Sequence, residues 1–138
     1  MFTLEHQDGI IEYQKTNGGF AVKDSKLYLS LETKSLDDEA YPDSFLFALD
    51  GYPVAGNLDS LEINISTNPE DEAPNVFVYT TFHACDVVAK LCVDVVSQNE
   101  ISVDFNVVSE DVNYYNEKAK PNPFKGRAVL ESLSLIQI

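Results

Sequence analysis

The sequence is poor in cysteine, tryptophan and long apolar runs, and each shortage narrows the range of proteins it could be. Among its 138 residues are two cysteines and no tryptophan. Two thiols are too few for the disulfide framework of a secreted domain. No apolar run approaches the roughly 18 residues of a membrane-spanning helix. The first residues also lack the basic and apolar regions of a secretory signal, so we expect a cytoplasmic protein.

Basic residues are also scarce. Lysine and arginine together number 9 against 23 aspartates and glutamates, which gives a formal net charge of −14 at pH 7. Binding to nucleic acid or to an anionic membrane depends on clustered lysine and arginine, so we expect neither as a direct partner.

The negative charge is concentrated in the middle of the chain. Residues 36–112 contain Lys90 as their one basic residue against sixteen acidic ones, a net of −15, whereas residues 1–35 carry −1 and residues 113–138 carry +2. Such a block raises a negative potential that would steer a basic protein toward it. The alternative is a solvated surface that only keeps the chain soluble.

Apolar and polar residues alternate with period two along most of the chain, which predicts strands with one buried face. The pattern is clear in residues 26–32, 60–66 and 75–82, and clearest in residues 91–96 and 101–107, which a four-residue polar loop joins into a predicted hairpin. The predicted buried residues of this hairpin are Leu91, Val93, Val95, Val103 and Phe105. We expect eight or nine strands in one domain covering residues 1–138. The predicted fold is an all-β, two-layer antiparallel β-sandwich with little helix, and a partly closed β-barrel is the alternative.

Further local patterns predict two turns, a last strand and a short helical segment. Asn17-Gly18-Gly19 and Asp50-Gly51 predict tight reversals, because these residue types tolerate positive φ. Residues 124–138 have apolar side chains at both odd and even positions. This pattern predicts a central strand that is buried on both faces or has a bulge near Glu131-Ser132. The best helical window is residues 84–90, where β-branching allows at most one or two turns.

One group of residues has the chemistry of a metal or catalytic site. His83, Cys85, Asp86 and Cys92 are zinc-ligand types, but their spacing is not that of a known zinc site, so we interpret both thiols as reduced and buried in the core. Nucleophilic catalysis would need a third orienting group, which the sequence does not show. We therefore expect no catalytic residue, no metal and no cofactor.

Acidic loops could instead bind calcium. Calcium needs 6–8 oxygens in one shell, and nothing in the spacing brings these carboxylates together, so solvated loops are the favoured interpretation. The residues concerned are Asp37, Asp38, Glu39, Asp43, Glu70, Asp71 and Glu72.

The candidate binding residues combine carboxylates with tyrosines. Tyrosine covers a large area with few rotatable bonds and stacks on arginine and lysine, although tyrosines that only cap the ends of the fold would look the same. The predicted partner-binding residues are Asp71, Glu72, Asp94, Asp104, Tyr114 and Tyr115.

These features favour a small acidic inhibitor or immunity-type protein that neutralises a basic protein partner such as a toxin. In being small, acidic and rich in strands, the chain is similar in general character to bacterial toxin-neutralising proteins, without sharing a motif with them. A ligand- or calcium-binding module is the alternative, and an enzyme is a third hypothesis. The oligomeric state is left open.

Overall fold

The computed structural model describes residues 1–6, 9–40, 42–67, 76–80, 87–109 and 122–133. Nine strands run through these residues and form one sheet. They are β1 (Phe2–His6), β2 (Gly9–Lys23), β3 (Lys26–Ser35), β4 (Ser44–Pro53), β5 (Leu61–Thr67), β6 (Val76–Tyr79), β7 (Val87–Ser97), β8 (Glu100–Ser109) and β9 (Asn122–Ser132).

The strand order is β5-β7-β8-β9-β1-β2-β3-β4-β6, and neighbours in this order are antiparallel. Because β1 is short, β9 and β2 also pair directly and in parallel where β1 is absent, through Gly19–Glu131 and Phe20–Ser132. The sheet curls until the edge strands β5 and β6 come within 8 Å of each other, measured between Cα atoms. The result is a nearly closed, barrel-like sheet with one open seam, which confirms the all-β prediction and is consistent with either a sandwich or a partly closed barrel.

The predicted alternation decides which side chains fill the interior. Leu27, Leu29 and Leu31 of β3 are at most 3% exposed, while the residues between them face outward. Burying a leucine removes its apolar surface from water and contributes about 1.5–3 kcal/mol. The same inward parity, repeated around the curled sheet, gives a single core.

Aromatic rings occupy the centre of that core. Phe124 stacks on Phe45 with ring centroids 3.8 Å apart and on Phe2 at 5.2 Å, and it meets the edge of Tyr13 at 5.7 Å. The Tyr13 hydroxyl donates a hydrogen bond to the carbonyl oxygen of Pro42, so the one polar atom of this buried ring has a partner.

The predicted hairpin is confirmed as β7 and β8, with two differences. Ser97 pairs with Glu100, so the turn has two residues and not four. Val95, which the pattern places in the core, is 45% exposed. Val95 lies past Val93, which is the last residue of β7 that pairs with β5. Its exposure therefore marks the end of the core, and Val96 is an extra residue that forms a bulge just after it.

Both predicted glycine reversals are wrong, because each glycine segment lies inside a continuous strand. β2 runs through Asn17-Gly18-Gly19, and the reversal to β3 lies at Asp24-Ser25, where both residues have positive φ (53° and 61°). β4 runs through Gly51, whose φ of 77° forms a bulge opposite Leu27 and Tyr28. At Gly51, positive φ accommodates an extra residue within a continuous strand and does not turn the chain.

The last predicted strand lies in the centre of the sheet, between β8 and β1, as expected. Its described part is not buried on both faces, since Phe124, Ala128 and Leu130 point inward while Val129 is 42% exposed. Residues 134–138 of the predicted strand lie outside the described residues. At the predicted bulge β9 instead changes partner, because Glu131 and Ser132 pair with β2 as well. In the predicted helical window, Val87–Lys90 are part of β7, and residues 84–86 lie outside the described part of the chain.

None of the residues in the described ranges forms a helix of the length and apolar character needed to cross a membrane.

Candidate functional site

The outward faces of β5, β7, β8 and β9 form one wall of the barrel, which we call the acidic wall. Strand pairing aligns Glu62, Cys92, Asp104 and Arg127 in a single row across it. One step along the strands toward the β7–β8 turn is the row that contains Asp94, Ser102 and Val129. The wall thus gathers acidic residues that are far apart in sequence.

Asp104 is already bound within the chain. Arg127 donates from Nε to Oδ1 at 2.7 Å and from Nη2 to Oδ2 at 2.9 Å, a two-point contact between adjacent strands. This hydrogen bonding lowers the pKa of Asp104 and raises the pKa of Arg127. Asp104 lies on the acidic wall as predicted, but Arg127 balances much of its charge.

Asp94 and Asp59 link β7 to the residues just before β5. Oδ1 of Asp94 accepts the backbone N–H of Ser60 at 3.2 Å, and Oδ1 of Asp59 accepts the N–H of Val95 at 2.9 Å. Each carboxylate keeps its other oxygen for a further contact, because only one oxygen takes part. The two groups are therefore exposed but fixed in orientation.

Glu100 and Glu131 lie directly opposite each other on β8 and β9. Like charges in this position destabilise a sheet, because their side chains are neighbours. The Ser97 hydroxyl donates to Oε1 of Glu100 at 3.0 Å, which holds one of the two carboxylates. We call Asp59, Glu62, Asp94, Glu100 and Glu131 the acidic end of the wall, since each lies in the row of Asp104 or nearer the β7–β8 turn. Lys90 and Lys125 lie in the row on the other side of Asp104.

The structure brings together only part of the predicted binding set. Asp94 and Asp104 share the acidic wall, whereas Asp71, Glu72, Tyr114 and Tyr115 lie outside the described residues. The opposition of Glu100 and Glu131 was missed, because it depends on β8 pairing with β9 and no local pattern reports that pairing.

The calcium and zinc candidates are also only partly described. Oδ1 of Asp37 accepts the N–H of Glu39 at 3.0 Å, so this carboxylate closes a local turn. Over the described residues, no group of three or more histidine, cysteine or acidic side chains is arranged to hold a metal ion. Residues 70–72, His83, Cys85 and Asp86 fall outside them. Cys92 is a free thiol that is half-buried on the acidic wall, so the prediction that it fills the core is wrong.

The opposite wall, formed by β2, β3, β4 and β6, carries an apolar groove of about 300 Å³. Gly19, Ser30 and Ala48 align across three strands and form its shallow floor. Tyr28 lies on one side, and Leu133 closes the end above Gly19. The backbone N–H of Leu133 donates to the carbonyl oxygen of Phe20 at 2.7 Å, which fixes that end.

Comparison with known proteins gives no relative: no protein-family model matches this sequence, and the search found no significant match to a curated protein or to a solved structure.

Proposed function

We propose that this chain is a small binding protein that neutralises a basic protein partner, such as a toxin, in the manner of an inhibitor or immunity protein. The supporting observation is the acidic end of the wall, where five carboxylates from β5, β7, β8, β9 and the residues before β5 share one surface. Two basic residues border this surface: Arg127 is bound to Asp104, and Lys15 of β2 donates from Nζ to the carbonyl oxygen of Val129 at 2.9 Å.

The physical basis is electrostatic complementarity. A surface of one sign steers an oppositely charged protein to it and raises the rate of association. Carboxylates in the path that phosphates would take also block a basic active site, because that site is built to bind anions. If the partner is a nuclease, binding should abolish its activity.

The first experiment is affinity capture from a lysate of the native cell, followed by identification of the bound protein. The wild-type chain should retain a basic protein at low salt, and Asp94→Lys should lose it. Glu32→Lys is the matched control, because Glu32 is exposed on β3, in the opposite wall, and the substitution changes the charge equally. Equal retention by both variants would contradict the proposal.

A ligand-binding module is the second candidate, and the apolar groove favours it. A concave apolar surface is the usual form of a small-molecule site. Under this hypothesis, Ala48→Phe fills the floor of the groove and abolishes binding of apolar ligands. Thermal unfolding with and without a panel of such ligands measures this, since a bound ligand raises the melting temperature.

A further inference from the structure

Two exposed valines lie among the carboxylates of the acidic end. Val96 is 54% exposed and Val129 is 42% exposed. Val129 is in register with Ser102 and Asp94, and Val96 is the extra residue of the bulge that follows Asp94. Neighbouring strands are about 4.8 Å apart, so Asp94 and Val129 lie roughly 10 Å from each other.

Two carboxylates repel each other on the same surface. Glu100 and Glu131 oppose each other directly beside Val129, an arrangement that weakens strand pairing. Proteins violate a local rule of stability mainly at functional positions. A cation supplied by a partner would convert this repulsion into attraction.

The surface around Val96 and Val129 is bordered by basic residues and held rigid by hydrogen bonds. Lys15 Nζ donates to the carbonyl oxygen of Val129 at 2.9 Å on the β2 side, and Arg127 borders it from the neighbouring row. Backbone hydrogen bonds fix Asp94 and Asp59. A rigid surface loses little conformational entropy on binding, which favours association.

We propose that the partner presents an apolar side chain between basic ones, with the apolar side chain packed on Val96 and Val129 and the basic ones paired with Asp94, Glu100 and Glu131. This inference rests on the proposed function and specifies its partner surface. Apolar contacts at the centre of an interface carry most of the binding free energy, while charges at its rim mainly set the association rate and the salt dependence.

The test uses two synthetic peptides of equal positive charge as probes. One has two leucines between flanking arginines and lysines, and the other has serines in place of the leucines. Each is titrated into the isotope-labelled chain, and amide chemical shifts report affinity and location. The leucine peptide should bind about tenfold more tightly, or about 1.4 kcal/mol, and should shift the amides of Val96, Ser102 and Val129.

Matched variants separate the two contributions. Val96→Ser and Val129→Ser should remove the preference for leucine, whereas Glu131→Gln should weaken both peptides alike. Val22→Ser is the control for the valines, because Val22 is 41% exposed on β2. Glu32→Gln is the control for the glutamate, and neither control should change binding.

The outcomes distinguish this inference from the proposed function. Equal binding of both peptides, still dependent on Glu131, would overturn the inference and leave the acidic surface as a binding site. Shifts confined to the apolar groove would also overturn it. No binding of either peptide would contradict the proposed function as well.

Discussion

Replacement of Phe124 by alanine tests the core that holds both walls together. The ring is fully buried and contacts three other aromatic rings, with centroid distances of 3.8 to 5.7 Å. Truncating a buried phenylalanine costs about 3–5 kcal/mol through lost transfer free energy and the cavity left behind. Aromatic pairs add about 0.5–1.5 kcal/mol each, so we expect a loss near the upper end of that range.

Urea unfolding followed by far-ultraviolet circular dichroism measures this loss, since the chain has no tryptophan to report it. Phe124→Leu keeps much of the apolar volume and should lose only about 1–2 kcal/mol. Val22→Ala, at an exposed valine of β2, should change stability by no more than about 0.5 kcal/mol. A loss below about 1 kcal/mol for Phe124→Ala would refute the aromatic core, because a fully buried ring cannot be removed so cheaply.

Three further substitutions test local features. Tyr13→Phe leaves the carbonyl oxygen of Pro42 without its donor and should cost about 1–3 kcal/mol in the same assay. Because burial raises the pKa of Tyr13, the wild-type stability should be complete below the ordinary tyrosine pKa of about 10 and fall as pH rises above it, and the variant should lack that decline. Arg127→Gln should return the lowered pKa of Asp104 toward its usual value, as followed by carboxyl chemical shifts; an unchanged pKa would show that Arg127 is not its cause. Gly51→Ala forces a side chain to φ 77° and should cost about 1–2 kcal/mol, whereas no loss would show that the bulge adapts.

Period-two alternation predicted β3 and the β7–β8 hairpin, together with most of their inward residues. In β3 and in the β7–β8 hairpin the buried parity is the predicted one, because a strand with one face in the core must alternate. The alternation says nothing about where the core ends, which is why Val95 was placed inside it.

Glycine was misinterpreted because two different requirements favour it. Gly18 and Gly19 lie within β2, where an added Cβ would meet the carbonyl oxygen of Ser30 at 2.8 Å and the Leu133 side chain at 2.6 Å. Close approach of a neighbour, and not a reversal, explains glycine at both positions. A glycine that allows a reversal and a glycine that allows close approach look the same in the sequence, so only the packing distinguishes the two roles.

The candidate site was predictable only one strand at a time. Parity placed Asp94 and Asp104 on the outward side of β7 and β8. Their partners depend on the strand order, since Arg127 reaches Asp104 because β9 lies beside β8. Glu100 and Glu131 face each other for the same reason. Long-range pairing of this kind leaves no local signature in the sequence.

The salt dependence of partner binding shows whether the carboxylates of the acidic end hold a basic partner. The dissociation constant of the captured basic protein is measured for the wild-type chain and for Asp94→Lys between about 0.1 M and 1 M salt, where the Debye length falls from about 10 Å to about 3 Å. The wild-type complex should weaken steadily as salt rises, and the variant should bind weakly throughout. An affinity that salt does not change, and that Asp94→Lys does not reduce, would contradict the proposed function.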